Sequence, residues 1–209
     1  MTETPREGSG VDRVPLTPEE KTQLSKLATS SIVDSMDRLG SPDAGISTVW
    51  PGARLVGTAL TVLTAAGDNQ IVHAALDVAK PGEIIVINGF GDRTRALIGD
   101  LIAERALSLG IAGFVIDGCV RDAEAIEEVG MPVFARGVTP AGPYKNGPGE
   151  IGGPVAIGGV AVTTGDVVIG DADGIAFIPR SRLEVVAALA ERKLADEAAK
   201  RAQIRDGAR

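Results

Sequence analysis

The chain has 209 residues, with 21 Lys and Arg against 28 Asp and Glu for a net charge of −7, and 44% hydrophobic residues. At that length one ordinary domain, or two small ones, buries roughly 70% of the unfolded surface, a core that needs no metal or disulfide staple; the lone Cys119 can pair with nothing in its own chain. An acid excess with only 3% aromatics offers neither a basic stripe nor a stacking platform for nucleic acid. The longest uncharged run, 151–165, is too short and too Gly-rich for a bilayer helix, and the polar N-terminus shows no signal segment, so a cytoplasmic protein is expected.

Residues 1–14 read as a disordered tail and 15–209 as a single domain. Thr17-Pro18-Glu19-Glu20 combines an N-cap Thr, Pro at the first helical position and Glu three residues after the cap, opening a helix that turns Leu24 and Leu27 inward. Ile32, Val33, Met36 and Leu39 follow at helical spacing, with Gly40 as the stop. After an irregular stretch over 41–54, residues 55–64 form a buried strand and 69–78 a helix with Ile71, Ala74, Ala75 and Val78 on one face.

From residue 83 strands and helices alternate: strand 83–88, helix 97–109, strand 112–117, helix 123–129 and strand 132–135. This alternation predicts a parallel sheet with helical crossovers. A Gly/Pro-rich loop fills 138–150, short strands between glycine turns over 155–178 predict an antiparallel meander, and a second capping box, Ser181 to Glu184, opens a charged helix from about 182 to about 204.

In such a sheet ligands gather at the carboxyl ends of strands, where helix N-termini leave N–H groups free. Two loops meet that description, 88–100 (NGFGDRTRALIGD) and 117–122 (DGCVRD), and together they supply carboxylates, an arginine and glycine-freed backbone suited to a small anion and a metal. Each Asp also has an ordinary structural use: Asp122 is placed to cap the helix at 123, Asp100 to cap the helix through Leu109, and Asp117-Gly118 to turn the chain out of its strand. Arg121 beside a carboxylate suits a planar carboxylate ligand, and equally a solvated surface site. His73 has no second His or Cys with which to hold a metal and reads as packing or surface; Cys119, near Arg121 but without a histidine base, reads as a space-filler, and Glu124, Glu127 and Glu128 as a solvated face. Neither loop carries a nucleotide-binding motif.

DGCVRD at 117–122, IGDLIAERALSLGIAGFVI at 98–116, DNQIVHAALDVAKPGEIIVI at 68–87 and GDVVIGDADGIAFIPR at 165–180 resemble the RraA-like family, whose members are regulators of ribonuclease E activity and divalent-metal pyruvate aldolases. The resemblance runs from about Ser30 to Arg180. It implies a compact α/β sandwich related to swivelling phosphohistidine domains, assembled as homotrimers or dimers of trimers with sites at subunit interfaces. It further implies that Asp122 is the metal carboxylate, that Arg121 contacts the substrate keto oxygen, and that Asp100 holds a water on the metal. Backbone N–H groups around Gly99, Asp100 and Leu101 would receive the pyruvyl carboxylate, Lys145 would lie near the distal part of the substrate, and Glu197 would come from the C-terminal helix of a neighbouring subunit.

The expected activity is therefore a lyase using Mg²⁺ or Mn²⁺ that cleaves 4-hydroxy-2-oxo acids, of the 4-hydroxy-4-methyl-2-oxoglutarate and 4-carboxy-4-hydroxy-2-oxoadipate type, to pyruvate through an enolate. Oxaloacetate decarboxylation would share that intermediate. The competing expectation is a non-catalytic regulator that binds a ribonuclease or another protein through its trimer surface.

Overall fold

A computed structural model of the chain describes residues 13–207 and a two-residue strand, β1 (Arg6–Glu7). The expected disordered tail, 1–14, falls largely outside the described residues. Arg13, near its end, pairs with the buried Glu83 and donates to the Val78 carbonyl at 2.9 Å.

The first helix, α1 (Pro18–Leu24), starts on the reciprocal Thr17–Glu20 capping box, and Leu24 and Leu27 are both buried. The second, α2 (Thr29–Asp34), is shorter than its hydrophobic spacing predicts. Asp37 and Arg38 both take left-handed φ values, 58° and 66°, and the Arg38 N–H closes back on the Val33 carbonyl at 2.9 Å. The helix therefore unwinds before Leu39, which is 67% exposed rather than on the apolar face. Gly40 does turn the chain, at φ 80°, and its carbonyl accepts the Phe177 N–H at 2.8 Å.

The elements that follow are β2 (Ser47–Thr48), β3 (Leu55–Thr64), α3 (Gln70–Val78), β4 (Glu83–Ile98), α4 (Asp100–Ser108), β5 (Gly113–Val120), α5 (Ala123–Val129), β6 (Val133–Val138) and β7 (Gly149–Ile151). Then come β8 (Val155–Ile157), β9 (Val160–Val162), β10 (Val167–Asp171), β11 (Gly174–Ile178), a 3-10 turn (Arg180–Arg182) and α6 (Leu183–Gly207). Two strands outrun their predicted ends. β4 continues to Ile98 with its pairing interrupted three times, so that residues 88–98 span only 117–120 of β5, and α4 begins at Asp100 instead of Leu97. β5 runs on through Val120, so Asp117-Gly118 is strand and not a turn. Ser181 lies inside the 3-10 turn rather than at an N-cap.

The main sheet is mixed, in the order β1-β7-β3-β4-β5-β6-β2, with β3, β4, β5 and β6 parallel. Alternate residues of these strands go to opposite cores. Ile85 and Ile87 of β4 meet α3, α4 and α5, while Ile84 and Val86 meet β8, β9 and one face of the β10–β11 hairpin. Burial on both faces is why these strands read as unbroken apolar runs. A third cluster joins α1, α2 and the first turns of α6 to the other face of β10–β11, through Val167, Ile169, Ala176 and Ile178.

The predicted meander is instead two hairpins. β8 and β9 form a sheet of their own, whereas β10 joins the free edge of β3 and shares it with β7. The handover falls at Thr61, between the β10 pairs at Leu55–Thr58 and the β7 pairs at Val62–Thr64. There the Thr164 hydroxyl accepts the Thr61 N–H at 3.1 Å, filling the gap in the ladder.

Ala28 gives α2 no side-chain cap, and the tertiary structure supplies one. The buried Asp171, at the end of β10, accepts the Thr29 N–H at 3.0 Å, the Thr29 hydroxyl, and the Asp173 N–H at 3.0 Å. Replacing Asp171 by Ala strands these donors, and the expected loss is about 2 kcal/mol of unfolding free energy in urea melts. An unchanged midpoint would show that α2 does not depend on this cap.

Candidate active site

Two strand-to-helix junctions lie side by side at the carboxyl edge of the sheet. β4 ends at Ile98, opposite Val120 at the end of β5, and the Arg121 N–H donates to the Ile98 carbonyl at 3.0 Å. The first junction passes through Gly99, the N-cap of α4. The second passes through Arg121 and Asp122, where Asp122 adopts a left-handed conformation (φ 56°, ψ 42°) and its side chain does not cap α5.

Gly99 decides how these junctions fit. A Cβ on it would lie 2.5 Å from Asp122 Oδ2 and 3.1 Å from both Cγ and Nε of Arg121. The missing side chain is the space in which the Asp122 carboxylate and the Arg121 stem rest. Arg121 Nε stands 3.2 Å from Asp122 Oδ2, and both side chains are about two-fifths exposed, at 43% and 39%. Asp122 thus keeps carboxylate lone pairs open to solvent.

The pocket beside this pair is walled by residues 97–102, by Arg121, by Asn69 and His73 of α3, and by Pro143 and Lys145 from the loop after β6. Asn69 is buried; its amide donates to the Leu97 carbonyl at 3.0 Å, and its Oδ1 has no partner within the protein. Asp100 turns onto its own helix end, accepting the Leu101 N–H at 2.8 Å. Burial, and then the charges of Lys145 and Arg105, hold His73 below its ordinary 6.5 against the smaller opposing pull of Asp77. At neutral pH His73 is an uncharged imidazole.

Compared with protein families, residues 29–177 match the RraA-like family, Aldolase/RraA. The chain belongs to this family. A relative from Halalkalibacterium halodurans, named "Putative 4-hydroxy-4-methyl-2-oxoglutarate aldolase", is 42% identical over 185 residues, covering 88% of each chain. Among solved structures, the RNA-processing inhibitor RraA from Thermus thermophilis superposes with a TM-score of 0.67 and 30% identity, over 73% of this chain and 92% of its own. Streptomyces coelicolor RraAS2, an unusual member of the RNase ES inhibitor RraA family, superposes with a TM-score of 0.81 and 26% identity, over 89% and 97%.

Within this RraA-like fold, Gly99, Asp100, Leu101, Arg121 and Lys145 all line one pocket, with Asp122 against its rim. Glu197 does not reach the pocket of its own chain; it lies far along α6, 3.7 Å from Arg201. Among the described residues no three His, Cys, Asp or Glu side chains cluster as a metal cage. One exposed carboxylate is the donor set expected for a hard cation that keeps most of its waters and takes further ligands from a chelating substrate. In that sense Asp122, uncommitted to α5, fits.

Several structural readings change. Gly99 takes the cap position expected for Asp100, and Asp122 occupies a cap position without using its side chain. Asp117 is buried in an ion pair with Arg136, and its Oδ2 accepts the Gly158 N–H at 2.8 Å. The guanidinium beside Cys119 is that of Arg93, and burial outweighs it, pushing the buried thiol up and away from nucleophilic use. Glu124, Glu127 and Glu128 are exposed.

Sequence reasoning missed Asn69 and His73 as pocket residues. Their i, i+4 spacing put them on one helix face, yet only the placement of α3 beside the end of β4 shows where that face points. Because His73 is the only histidine, its titration is directly visible by NMR. The expected midpoint lies below 6.5, and Lys145→Met should move it upward by removing a positive charge that opposes protonation. A midpoint at or above 6.5 would place His73 outside this desolvated, cationic wall.

Proposed function

We propose that this RraA-like protein is a divalent-metal lyase cleaving 4-hydroxy-2-oxo acids, of the 4-hydroxy-4-methyl-2-oxoglutarate and 4-carboxy-4-hydroxy-2-oxoadipate type, to pyruvate, with oxaloacetate decarboxylation as a second activity of the same site. The observation that carries the reading is the seating of Arg121 and Asp122 on Gly99 at the N-terminus of α4, facing Lys145. The aldolase name of the relative from Halalkalibacterium halodurans points the same way.

The residues divide the work. The N-terminus of α4 carries free N–H groups and a positive dipole end, which suit the 1-carboxylate of a 2-oxo acid. Asp100 now occupies the Leu101 N–H, so a substrate carboxylate takes its place and Asp100 swings toward the rim. Arg121 puts a planar cation where negative charge develops on the 2-oxygen as the C3–C4 bond breaks. Asp122 would hold Mg²⁺ or Mn²⁺, which would supply Lewis acidity toward the 2-keto group. Asp100, once displaced from the Leu101 N–H, would hold the water that takes the C4 hydroxyl proton. Lys145, on the same pocket wall, would meet the distal carboxylate, and the neutral His73 and the Asn69 Oδ1 would offer hydrogen bonds without added charge.

Bond changes balance without an oxidant. In 4-hydroxy-4-methyl-2-oxoglutarate the C4 hydroxyl loses a proton, the C3–C4 bond breaks, C4 becomes the keto carbon of one pyruvate, and C3, left as the enolate carbon, takes up a proton from water to become the methyl group of the other. In oxaloacetate the same enolate forms with loss of carbon dioxide. We further propose a homotrimer or dimer of trimers in which Glu197 completes a neighbour's pocket. α6 has no buried residue beyond Ala190, although it carries Leu194 and Ile204, which are 41% and 70% exposed.

The second reading, a non-catalytic regulator that binds a ribonuclease, is favoured by the names of the Thermus and Streptomyces neighbours. Turnover separates the two. Purified protein with Mg²⁺ should release two pyruvates per 4-hydroxy-4-methyl-2-oxoglutarate in a lactate dehydrogenase-coupled assay. Arg121→Lys, which keeps the charge but loses the planar fork, should lower kcat by about 100-fold. Full activity in Arg121→Lys would remove the guanidinium from the mechanism, and no turnover of any 4-hydroxy-2-oxo acid would leave the regulator reading.

A further inference from the structure

The wall of the pocket that carries Pro143 and Lys145 has almost no regular structure to hold it. Residues 139–148 include three prolines and two glycines and form no helix or strand. Their geometry rests on tethers. At one end the buried Asp68 accepts the N–H groups of Asn146 and Gly147, both at 2.8 Å. In the middle the Tyr144 N–H donates to the Gly67 carbonyl at 2.8 Å, and its carbonyl accepts the Asn69 N–H at 3.0 Å.

A further tether is a side chain from the irregular part of β4. The Arg95 guanidinium lies over the Tyr144 ring, 4.0 Å from its centroid, and donates to the Gly142 carbonyl and to the Tyr144 hydroxyl, each at 2.9 Å. Its stem packs over Gly67, where an added Cβ would come within 3.0 Å of Arg95 Cδ. One residue further on, the Ala96 N–H donates to the Ala141 carbonyl at 2.8 Å. Arg95 thus grips the chain on both sides of Pro143, and Tyr144 is the immediate neighbour of Lys145. Arg95 itself does not line the pocket.

We propose that Arg95 is a positioning residue: stacked on Tyr144 and bonded to Gly142, it holds Pro143 and Lys145 at the pocket wall and so sets how well the distal end of a substrate is bound. The consequence for substrates rests on the lyase reading; the bracing of the loop does not. A guanidinium suits the role because its planar fork stacks on a ring and still directs two N–H groups in-plane, which an ammonium cannot do. A short acid such as oxaloacetate is held mainly by the α4 N-terminus and Arg121, and feels the brace little. A longer 4-hydroxy-2-oxo acid reaches Lys145 and feels it in KM.

The test uses the full chain as wild type, Arg95→Ala, Arg95→Lys, Lys145→Ala and the Arg95→Ala/Lys145→Ala double variant. Amide exchange at Tyr144, Lys145 and Asn146 should quicken by about tenfold in Arg95→Ala, with part of the protection restored in Arg95→Lys. KM for 4-hydroxy-4-methyl-2-oxoglutarate should rise by about tenfold in Arg95→Ala while kcat for oxaloacetate stays within about twofold. In the Lys145→Ala background the Arg95 substitution should raise KM no further, since the two act through one contact. Unchanged exchange overturns the brace. Equal losses with both substrates, or an undiminished Arg95 effect without Lys145, overturn its role in positioning. If the wild type turns over neither acid, the lyase reading fails and the exchange rates alone decide the brace. Should Arg95→Ala not fold, Tyr144→Leu, which removes the exposed ring, carries the same expectations.

Discussion

At Gly99 the backbone of one crossover passes so close to the next that a single methyl group would collide with the Asp122 carboxylate and the Arg121 stem. This close approach follows from the sheet. β4 and β5 are parallel neighbours, Ile98 faces Val120 across the ladder, and both chains leave for their helices at the same level. Parallel strands put such exits together on one edge, and side chains at the two exits must compete for the same space. Glycine at 99 yields that space. Asp122 then takes a left-handed backbone, a strained state for a non-glycine residue that costs about 1 kcal/mol or more, and turns its carboxylate away from α5 toward Arg121.

The electrostatics of the pocket run against those of the whole chain. A molecule with a net charge of −7 repels anions at long range, so any recognition of an anionic ligand at this pocket must be local. Arg121, Lys145 and the N-terminus of α4 converge on the pocket, and His73 on its α3 side stays neutral because burial, Lys145 and Arg105 oppose its protonation. Of the two nearby carboxylates, Asp100 lies in the pocket wall on the Leu101 N–H and Asp122 beside it on Gly99. Displacing Asp100 from that N–H would leave the α4 N-terminus to an anion, with the exposed Asp122 open to a cation.

The parallel core was legible because each strand is buried on both faces and reads as a continuous apolar run, with Leu55–Thr64 matching its expected bounds. Errors cluster where tertiary contacts override local pattern. The apolar spacing through Leu39 continues a helical period, but Asp37 and Arg38 adopt left-handed backbones that no glycine announces. Strand β4 hides its continuation because residues 89–97 touch the β5 ladder only at Asp92 and Ala96 and bulge between those contacts. At the site, the pocket positions of Gly99, Asp100, Leu101, Arg121 and Lys145 followed from a family resemblance spread over the chain. Asn69 and His73 carried no such mark, since an Asn and a lone His on a helix look alike in a core, on a surface or in a pocket. Asp117 illustrates the converse: a loop-like Asp-Gly pair proves to be strand, held by Arg136 nineteen residues away.

On the proposed reading, this edge of the sheet stabilises a pyruvate enolate. Exchange of the pyruvate methyl protons with D₂O, followed by NMR, tests it without any assumption about the aldol partner. With Mg²⁺ or Mn²⁺ present, the methyl proton signal should be lost well above the rate given by the free metal. EDTA should abolish that exchange, as should Asp122→Ala in a protein that keeps its native oligomeric state. Exchange no faster than the metal background, or full exchange in Asp122→Ala, would contradict it.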